Sequence, residues 1–134
     1  MDALTIIQRA VNRGTGQVEL VRAATACLRS VAPLASWSQV QVVTALEAAE
    51  RWSARPSSVN AGLALHAVPN LDGLHEKDPA DLDVCLLLAS ALAALSAANV
   101  HFASLTAVMA VEHAEKAAAG RGIDLTPLVT AELL

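Results

Sequence analysis

The apolar residues of this chain recur every three or four positions, which is the spacing of helices that bury one side. Val21, Ala24 and Leu28 fall on one face of such a helix, and the charged residues of the same segment fall on the other. No segment alternates apolar and polar residues as a half-buried strand does. The pattern predicts an all-α protein.

Glycines and prolines divide this pattern into about six helices, which we expect to form a single compact bundle. The predicted helices cover residues 3–12, 17–31, 37–54 and 58–68, then 79–119 in two parts, with a short helix near the carboxyl end. The third helix is predicted to begin at Ser36 or Ser38, because a glutamine follows each serine at the spacing of a capping box. Trp37 and Trp52 frame this helix, and we expect both to be core or staple residues rather than a stacking platform.

The longest uncharged run, residues 84–111, contains no Asp, Glu, Lys or Arg and is long enough to cross a bilayer. Against a membrane span, it includes Asn99 and His101, it is rich in alanine, and its flanks are mainly acidic with no Trp or Tyr anchor. As one helix, residues 79–119 would extend about 60 Å, which is too long for a small domain. We therefore expect two antiparallel helices, buried at the centre of the bundle, with a break near residues 98–101.

Length and composition fit one folded domain over residues 1–134. Hydrophobic residues make up 54% of the chain and charged residues 16%, so disorder is not expected over most of it. Alanine, the strongest helix former, is the commonest apolar residue and allows helix axes to approach closely. These features agree with the helical pattern.

The net charge of −4 excludes one class of partner and favours another. The nine Lys and Arg residues form no basic patch, so nucleic-acid binding has no electrostatic basis. An acidic chain fits a basic protein partner instead. The first residues lack the long apolar region of a secretory signal, and we expect a cytoplasmic protein.

Cysteine and histidine residues form no recognisable reaction centre. Cys27 and Cys85 lie in apolar helical patterns, which predicts buried, reduced thiols; a disulfide between the two helices is the alternative. The histidines lack metal-ligand spacing, although His66, His101 and His113 would form a site if the fold brought them together. Motifs of nucleophilic catalysis and of phosphate-binding loops do not occur. The sequence predicts no enzyme activity, no cofactor and no bound metal.

The most polar segment is "PNLDGLHEKDP", residues 69–79, and its composition predicts a loop. Asp78 and Pro79 predict the start of the fifth helix, as an acidic N-cap followed by proline. Carboxylates cluster around the loop and this helix start, and these are the candidate partner-binding residues: Asp72, Glu76, Asp78, Asp81 and Asp83. The alternative interpretation is a solvated loop with ordinary helix capping. The spacing does not match a calcium-binding loop.

Three stretches share alanine-rich spacing with interspersed histidines: "ALEAAERW" at 45–52, "NAGLALHAV" at 60–68 and "ANVHFASLTAVMAVEHAEKAA" at 98–118. In this they resemble the alanine-rich helical immunity proteins of bacterial polymorphic toxin systems, over about half of the chain. The sparse aromatic residues and the first two helices depart from that family. The resemblance implies an all-α protein that binds and neutralises a cognate toxin without catalysis, and it transfers no binding residue to a position in this chain.

These observations lead to one main hypothesis and two alternatives. The main hypothesis is a non-enzymatic protein–protein interaction module, most concretely an immunity or antitoxin-like protein whose acidic surface binds and blocks a basic toxin. The first alternative is a structural homo-oligomer that pairs through an apolar helix face. The second is a helical bundle that binds a small molecule or a metal through its histidines.

Overall fold

Seven α-helices make up residues 2–133, the part of the chain that the computed structural model describes. They are α1 (Ala3–Asn12), α2 (Gln17–Val31), α3 (Gln39–Ala54), α4 (Ser58–His66), α5 (Leu82–Ala98), α6 (Ala103–Ala118) and α7 (Thr126–Leu133). Short 3₁₀ turns follow α2 at Ala32–Leu34 and precede α5 at Leu74–Glu76. No strand occurs over this range, and the predicted all-α bundle is confirmed.

Helix α5 lies at the centre of the bundle. It packs against α2, α3, α4 and α6, and most of its residues are buried. Six of its seventeen residues are alanines, among them Ala89, Ala93 and Ala97, which are buried and let the neighbouring helices approach closely. A helix that is apolar on all sides is stable in water only when it is covered on all sides. The prediction of a central buried helix is confirmed for α5.

The long uncharged run divides into α5 and α6 at residues 99–102, as predicted. The four-residue connection and the extensive contact between the two helices make them a helical hairpin. No helix between residues 2 and 133 combines the length and the apolarity that crossing a membrane needs.

Helix α6 is buried on one side only. It packs against α1, α2 and α5, but Leu105 and Met109 remain exposed on its outer side, as does Phe102 just before it. The expectation that this second helix is covered on all sides was wrong. The apolar residues of α6 predicted burial, but no further helix between residues 2 and 133 covers its outer face.

Helices α1 and α2 pack against α6, helix α7 packs against α1 and α2, and polar side chains bind the ends of α1 and α7. The Asp2 side chain caps α1 by accepting from the Thr5 N–H at 2.8 Å. The Arg13 guanidinium donates to the Leu133 carbonyl at 2.7 Å. These bonds satisfy backbone groups that helix ends leave without partners.

The start of α5 differs from the prediction. The helix begins at Leu82, and Asp81 is the N-cap, whose carboxylate accepts from the N–H groups of Asp83 at 2.8 Å and Val84 at 3.4 Å. Asp78 instead closes a turn by accepting from the Ala80 N–H at 2.9 Å. Both aspartates suit an N-cap, and the prediction chose the wrong one because a following proline is a local preference only.

Candidate functional site

Asp83 joins the start of α5 to the turn before α3. Its carboxylate is 4% exposed and accepts four hydrogen bonds, two from Ser36 and two from Ser38. The N–H and Oγ of Ser36 donate at 2.9 Å each, and those of Ser38 donate at 2.9 and 2.5 Å. The predicted capping box was wrong, since the Ser38 hydroxyl binds Asp83 rather than the first turn of α3.

These four bonds keep the Asp83 carboxyl ionised. Burial acts to raise the pKa of Asp83, but the hydrogen bonds from Ser38 and Ser36 together outweigh it, and the pKa lies below its ordinary value. A buried carboxylate is tolerated when donors surround it. Asp83 therefore holds the turn before α3 in place, and it is not available to a partner as the sequence suggested.

Trp37 lies on the outside of this turn, with 51% of its surface exposed. The serines on either side of it both bind Asp83, so the indole is held outward. Lys77 comes from the polar segment before α5, and its Nζ lies 5.4 Å from the centre of the Trp37 ring, within the range of a cation–π contact. Val40, one helical turn further along, is also exposed. We call Trp37, Val40, Glu76, Lys77 and Asp78 the Trp37 surface.

The structure separates the five predicted carboxylates into three groups. Asp72, Glu76 and Asp78 are exposed, and Asp81 is half-buried as the N-cap of α5. Asp83 is buried. Glu76 and Asp78 are the chain neighbours of Lys77, whose ammonium contacts Trp37. Asp72 lies five residues before Lys77 along the same segment.

This segment accounts for most of the net negative charge of the protein. Residues 70–81 contain four carboxylates and one lysine, which gives −3 against −4 for the whole chain. Its one ion pair, between His75 and Glu76 at 3.8 Å, is highly exposed and depends on a charged histidine. Water screens such a pair strongly. The Trp37 surface holds two of these carboxylates and Lys77, so it combines an exposed aromatic ring with a net charge of −1 and adjoins a more acidic segment.

Two shallow pockets elsewhere do not resemble ligand sites. One, of 270 Å³, lies between α6 and α7 and includes Asp2, Glu115 and Asp124. Each of these carboxylates accepts from a backbone N–H in the first turn of α1 or α7, so they serve as helix caps. Burial, and then the nearby Asp2, raise the pKa of Glu115. The other, of 480 Å³, contains the exposed ion pair between Arg29 and Glu50.

The histidines do not converge. Within residues 2–133, no three His, Cys, Asp or Glu side chains are arranged as metal ligands. His66 and His101 are exposed, whereas His113 is half-buried and its Nδ1 has no hydrogen-bond partner among the described residues. Burial, followed by the nearby Lys116, lowers the pKa of His113, so its imidazole is neutral at pH 7. Within residues 2–133 the fold therefore does not bring His66, His101 and His113 together as the metal-binding alternative requires.

Both cysteines are free and buried, as the sequence predicted, and the predicted alternative of a disulfide is not present between them. Burial, and then the charge of Glu115, raise the pKa of the Cys27 thiol to about 12. Burial also raises the pKa of Cys85. Because the thiolate is the reactive form, neither side chain is a nucleophile at neutral pH.

Thiol reactivity tests this arrangement. We expect the native protein at pH 7.5 to react with a thiol-specific reagent at least about a hundredfold more slowly than the protein in denaturant, because both thiols are buried and protonated. In denaturant, two thiols per chain should react. Fast reaction of one thiol in the folded protein would contradict the buried position of that cysteine.

The sequence pattern missed Trp37. A tryptophan beside a helix start is typical of the core, and Trp52, which is 6% exposed, follows that rule. The only local signal is that Trp37 lies between two serines. If a buried acceptor for both serine hydroxyls had been known, the pattern Ser-Trp-Ser would have predicted an exposed indole, because both serines then face the interior. That acceptor, Asp83, is 45 residues or more away along the chain.

Comparison with known proteins adds no family to this description. No protein-family model matches the chain, and searches of curated proteins and of solved structures find no match. The site must therefore be interpreted from its own geometry.

Proposed function

We propose that this protein is a non-enzymatic interaction module that binds a basic partner protein through the Trp37 surface. An immunity or antitoxin-like role, in which the bound partner is blocked, is the concrete form of this proposal. The observation that carries it is the exposed Trp37, held outward beside the acidic segment. The resemblance to helical immunity proteins is consistent with this role.

The chemistry of Trp37 supports binding. Tryptophan is enriched among the few residues that supply most of the energy of protein interfaces. Its large apolar surface favours burial, yet here half of it is exposed to water. The four hydrogen bonds to Asp83 fix the turn that carries it, so little conformational entropy would be lost when a partner covers the ring.

The charges around Trp37 support a basic partner. The local excess of negative charge would attract a positively charged surface and accelerate association at low ionic strength. Exposed charges at the rim of an interface contribute more to association rate than to final affinity. Trp37 would supply the affinity, and Glu76 and Asp78 would supply steering and salt dependence.

Affinity capture tests the proposal. The wild-type protein is expected to retain a basic protein from a lysate of its native cells, and Trp37→Ala is expected to weaken that complex by about 2 kcal/mol, or roughly 30-fold. The matched control is Leu105→Ala, because Leu105 is similarly exposed but lies on α6. The affinities are then measured by calorimetry with the purified partner.

Charge variants separate steering from affinity in the same complex. Glu76→Gln combined with Asp78→Asn should lower the association rate and flatten its salt dependence, with a smaller effect on dissociation. If Trp37→Ala and Leu105→Ala bind the partner equally well, the Trp37 surface is not the binding site.

A second candidate function is self-association through α6. Phe102, Leu105 and Met109 form an exposed apolar stripe at positions i, i+3 and i+7. Such a stripe can pair with its own copy around a two-fold axis. Sedimentation at increasing concentration tests this: a dimer that Leu105→Glu dissociates would support it, and a strict monomer at high concentration would exclude it.

A further inference from the structure

The ammonium of Lys77 lies on an aromatic ring although carboxylates are close along the chain. Glu76 and Asp78 flank Lys77 directly, yet no carboxylate between residues 2 and 133 forms an ion pair with it. Instead its Nζ lies 5.4 Å from the centre of the Trp37 ring. The face of Trp37 is therefore already a cation site, and Lys77 occupies it.

We infer that Lys77 is a displaceable internal occupant of this site, and that a partner binds by placing an arginine on the Trp37 ring in its place. This inference rests on the proposed function, which it makes more specific: the partner presents an arginine within a basic segment. Lys77 would thus weaken binding by competing for the ring.

Arginine is the residue that this site favours. Its planar guanidinium stacks on an indole ring and is more weakly hydrated than an ammonium, so it loses less on leaving water. Its five N–H donors allow it to bind a carboxylate at the same time. Glu76 or Asp78, which flank Lys77 in the sequence, would supply that carboxylate. A lysine on the partner would bind the ring only as a point charge, as Lys77 already does, and would gain no advantage over it.

The chain provides a matched control for the charge of Lys77. Its two lysines are Lys77 and Lys116, and Lys116 lies on α6, where it pairs with Glu112 at 3.5 Å. Replacing either lysine with glutamine changes the net charge by the same amount. Only Lys77→Gln also vacates the ring face of Trp37.

The experiment titrates an amidated penta-arginine peptide, and its penta-lysine counterpart, into the full chain. The chain has two tryptophans, so the two indole N–H signals in an NMR spectrum report on Trp37 and on the buried Trp52, with Trp37→Leu providing the assignment. We expect the arginine peptide to shift the Trp37 signal and not the Trp52 signal. The lysine peptide should bind more weakly.

The variants then decide the inference. We expect Lys77→Gln to tighten binding of the arginine peptide about two- to fivefold, and Lys116→Gln to leave it nearly unchanged. In a Trp37→Leu background the difference between the two glutamine variants should disappear. Equal effects of Lys77→Gln and Lys116→Gln, weaker binding in Lys77→Gln, or an unmoved Trp37 signal across the titration would each overturn the inference.

The two proposals fail in different ways. If Trp37→Ala loses the native partner but Lys77→Gln does not strengthen the arginine peptide, the protein-binding role stands and the displacement of Lys77 is wrong. If the peptide results are as expected but Trp37→Ala retains the native partner, the cation site is real and is not the interface for that partner.

Discussion

Replacing Asp83 with alanine is expected to lower the free energy of unfolding by about 3 kcal/mol, because the change leaves four hydrogen-bond donors without their acceptor. The Ser38 hydroxyl and N–H lose the most, since Ser38 is fully buried and water cannot replace the carboxylate there. Ser36 is exposed and loses less. Urea denaturation followed by circular dichroism would measure the change.

Asp78→Ala is the matched control for this variant. Asp78 belongs to the same polar segment and carries the same charge, but it is exposed and accepts only from the backbone of its own turn. We expect its effect to stay within about 0.5 kcal/mol. A loss of similar size in both variants would mean that the four bonds to Asp83 contribute little.

The contribution of Asp83 should also depend on pH. The folded-state pKa of Asp83 lies below its value in the unfolded chain, so its contribution is present above the unfolded pKa of about 3.9. That contribution is lost as the pH falls through the folded-state pKa. The stability difference between the wild type and Asp83→Asn should therefore be largest near neutral pH and shrink below about pH 4. A difference that is constant from pH 7 to pH 3 would contradict this.

Replacing Asp83 with alanine should also disturb the Trp37 surface. Hydrogen bonds from Ser36 and Ser38 to Asp83 fix the turn that holds Trp37 outward, so we expect the loss of this carboxylate to give the indole more conformational freedom. Binding of a partner would then cost more conformational entropy. Under the proposed function, stability and partner binding would thus both depend on the buried Asp83 carboxylate.

Most of the fold was predictable because it depends on local pattern. The helical spacing of apolar residues and the terminating glycines and prolines placed α1 and α2 closely. The break at residues 99–102 was predicted because one helix over residues 79–119 could not fit a domain of this size, and because Asn99 interrupts the apolar run. These features need no knowledge of which segment packs against which.

Several of the errors arise because local patterns do not show which distant residues the fold brings together. Ser38 and Asp83 each fit the local rules for helix starts, but in the fold they form hydrogen bonds with each other across 45 residues. The local rules therefore misassigned the role of the serine and counted Asp83 as exposed. Trp37 and the outer side of α6 were missed because an apolar residue in a single sequence predicts the core, whether or not the fold covers it.

Replacing Leu86 with alanine is expected to destabilise the protein by about 3 kcal/mol, through the lost burial and the cavity that remains. Leu86 is fully buried in α5, which packs against four other helices. Many of the other buried residues in the same core are alanines, such as Ala107 and Ala110 on α6. Alanine has no side-chain rotamers, so these residues cannot turn into the space, and we expect the cavity to close only in part.

Leu88→Ala makes the same chemical change two residues along α5, where the side chain is half-buried. Water already covers part of Leu88, so little cavity forms and we expect a loss of about 1 kcal/mol. Equilibrium urea unfolding of both variants measures the difference, with equal slopes showing that the unfolded states are comparable. Equal losses would mean that α5 is not covered on the Leu86 side. A threefold difference between the two losses of stability would mean that the alanine-rich helices around α5 hold their positions when Leu86 is shortened. A bundle built on close helix contact, rather than on large interlocking side chains, requires this.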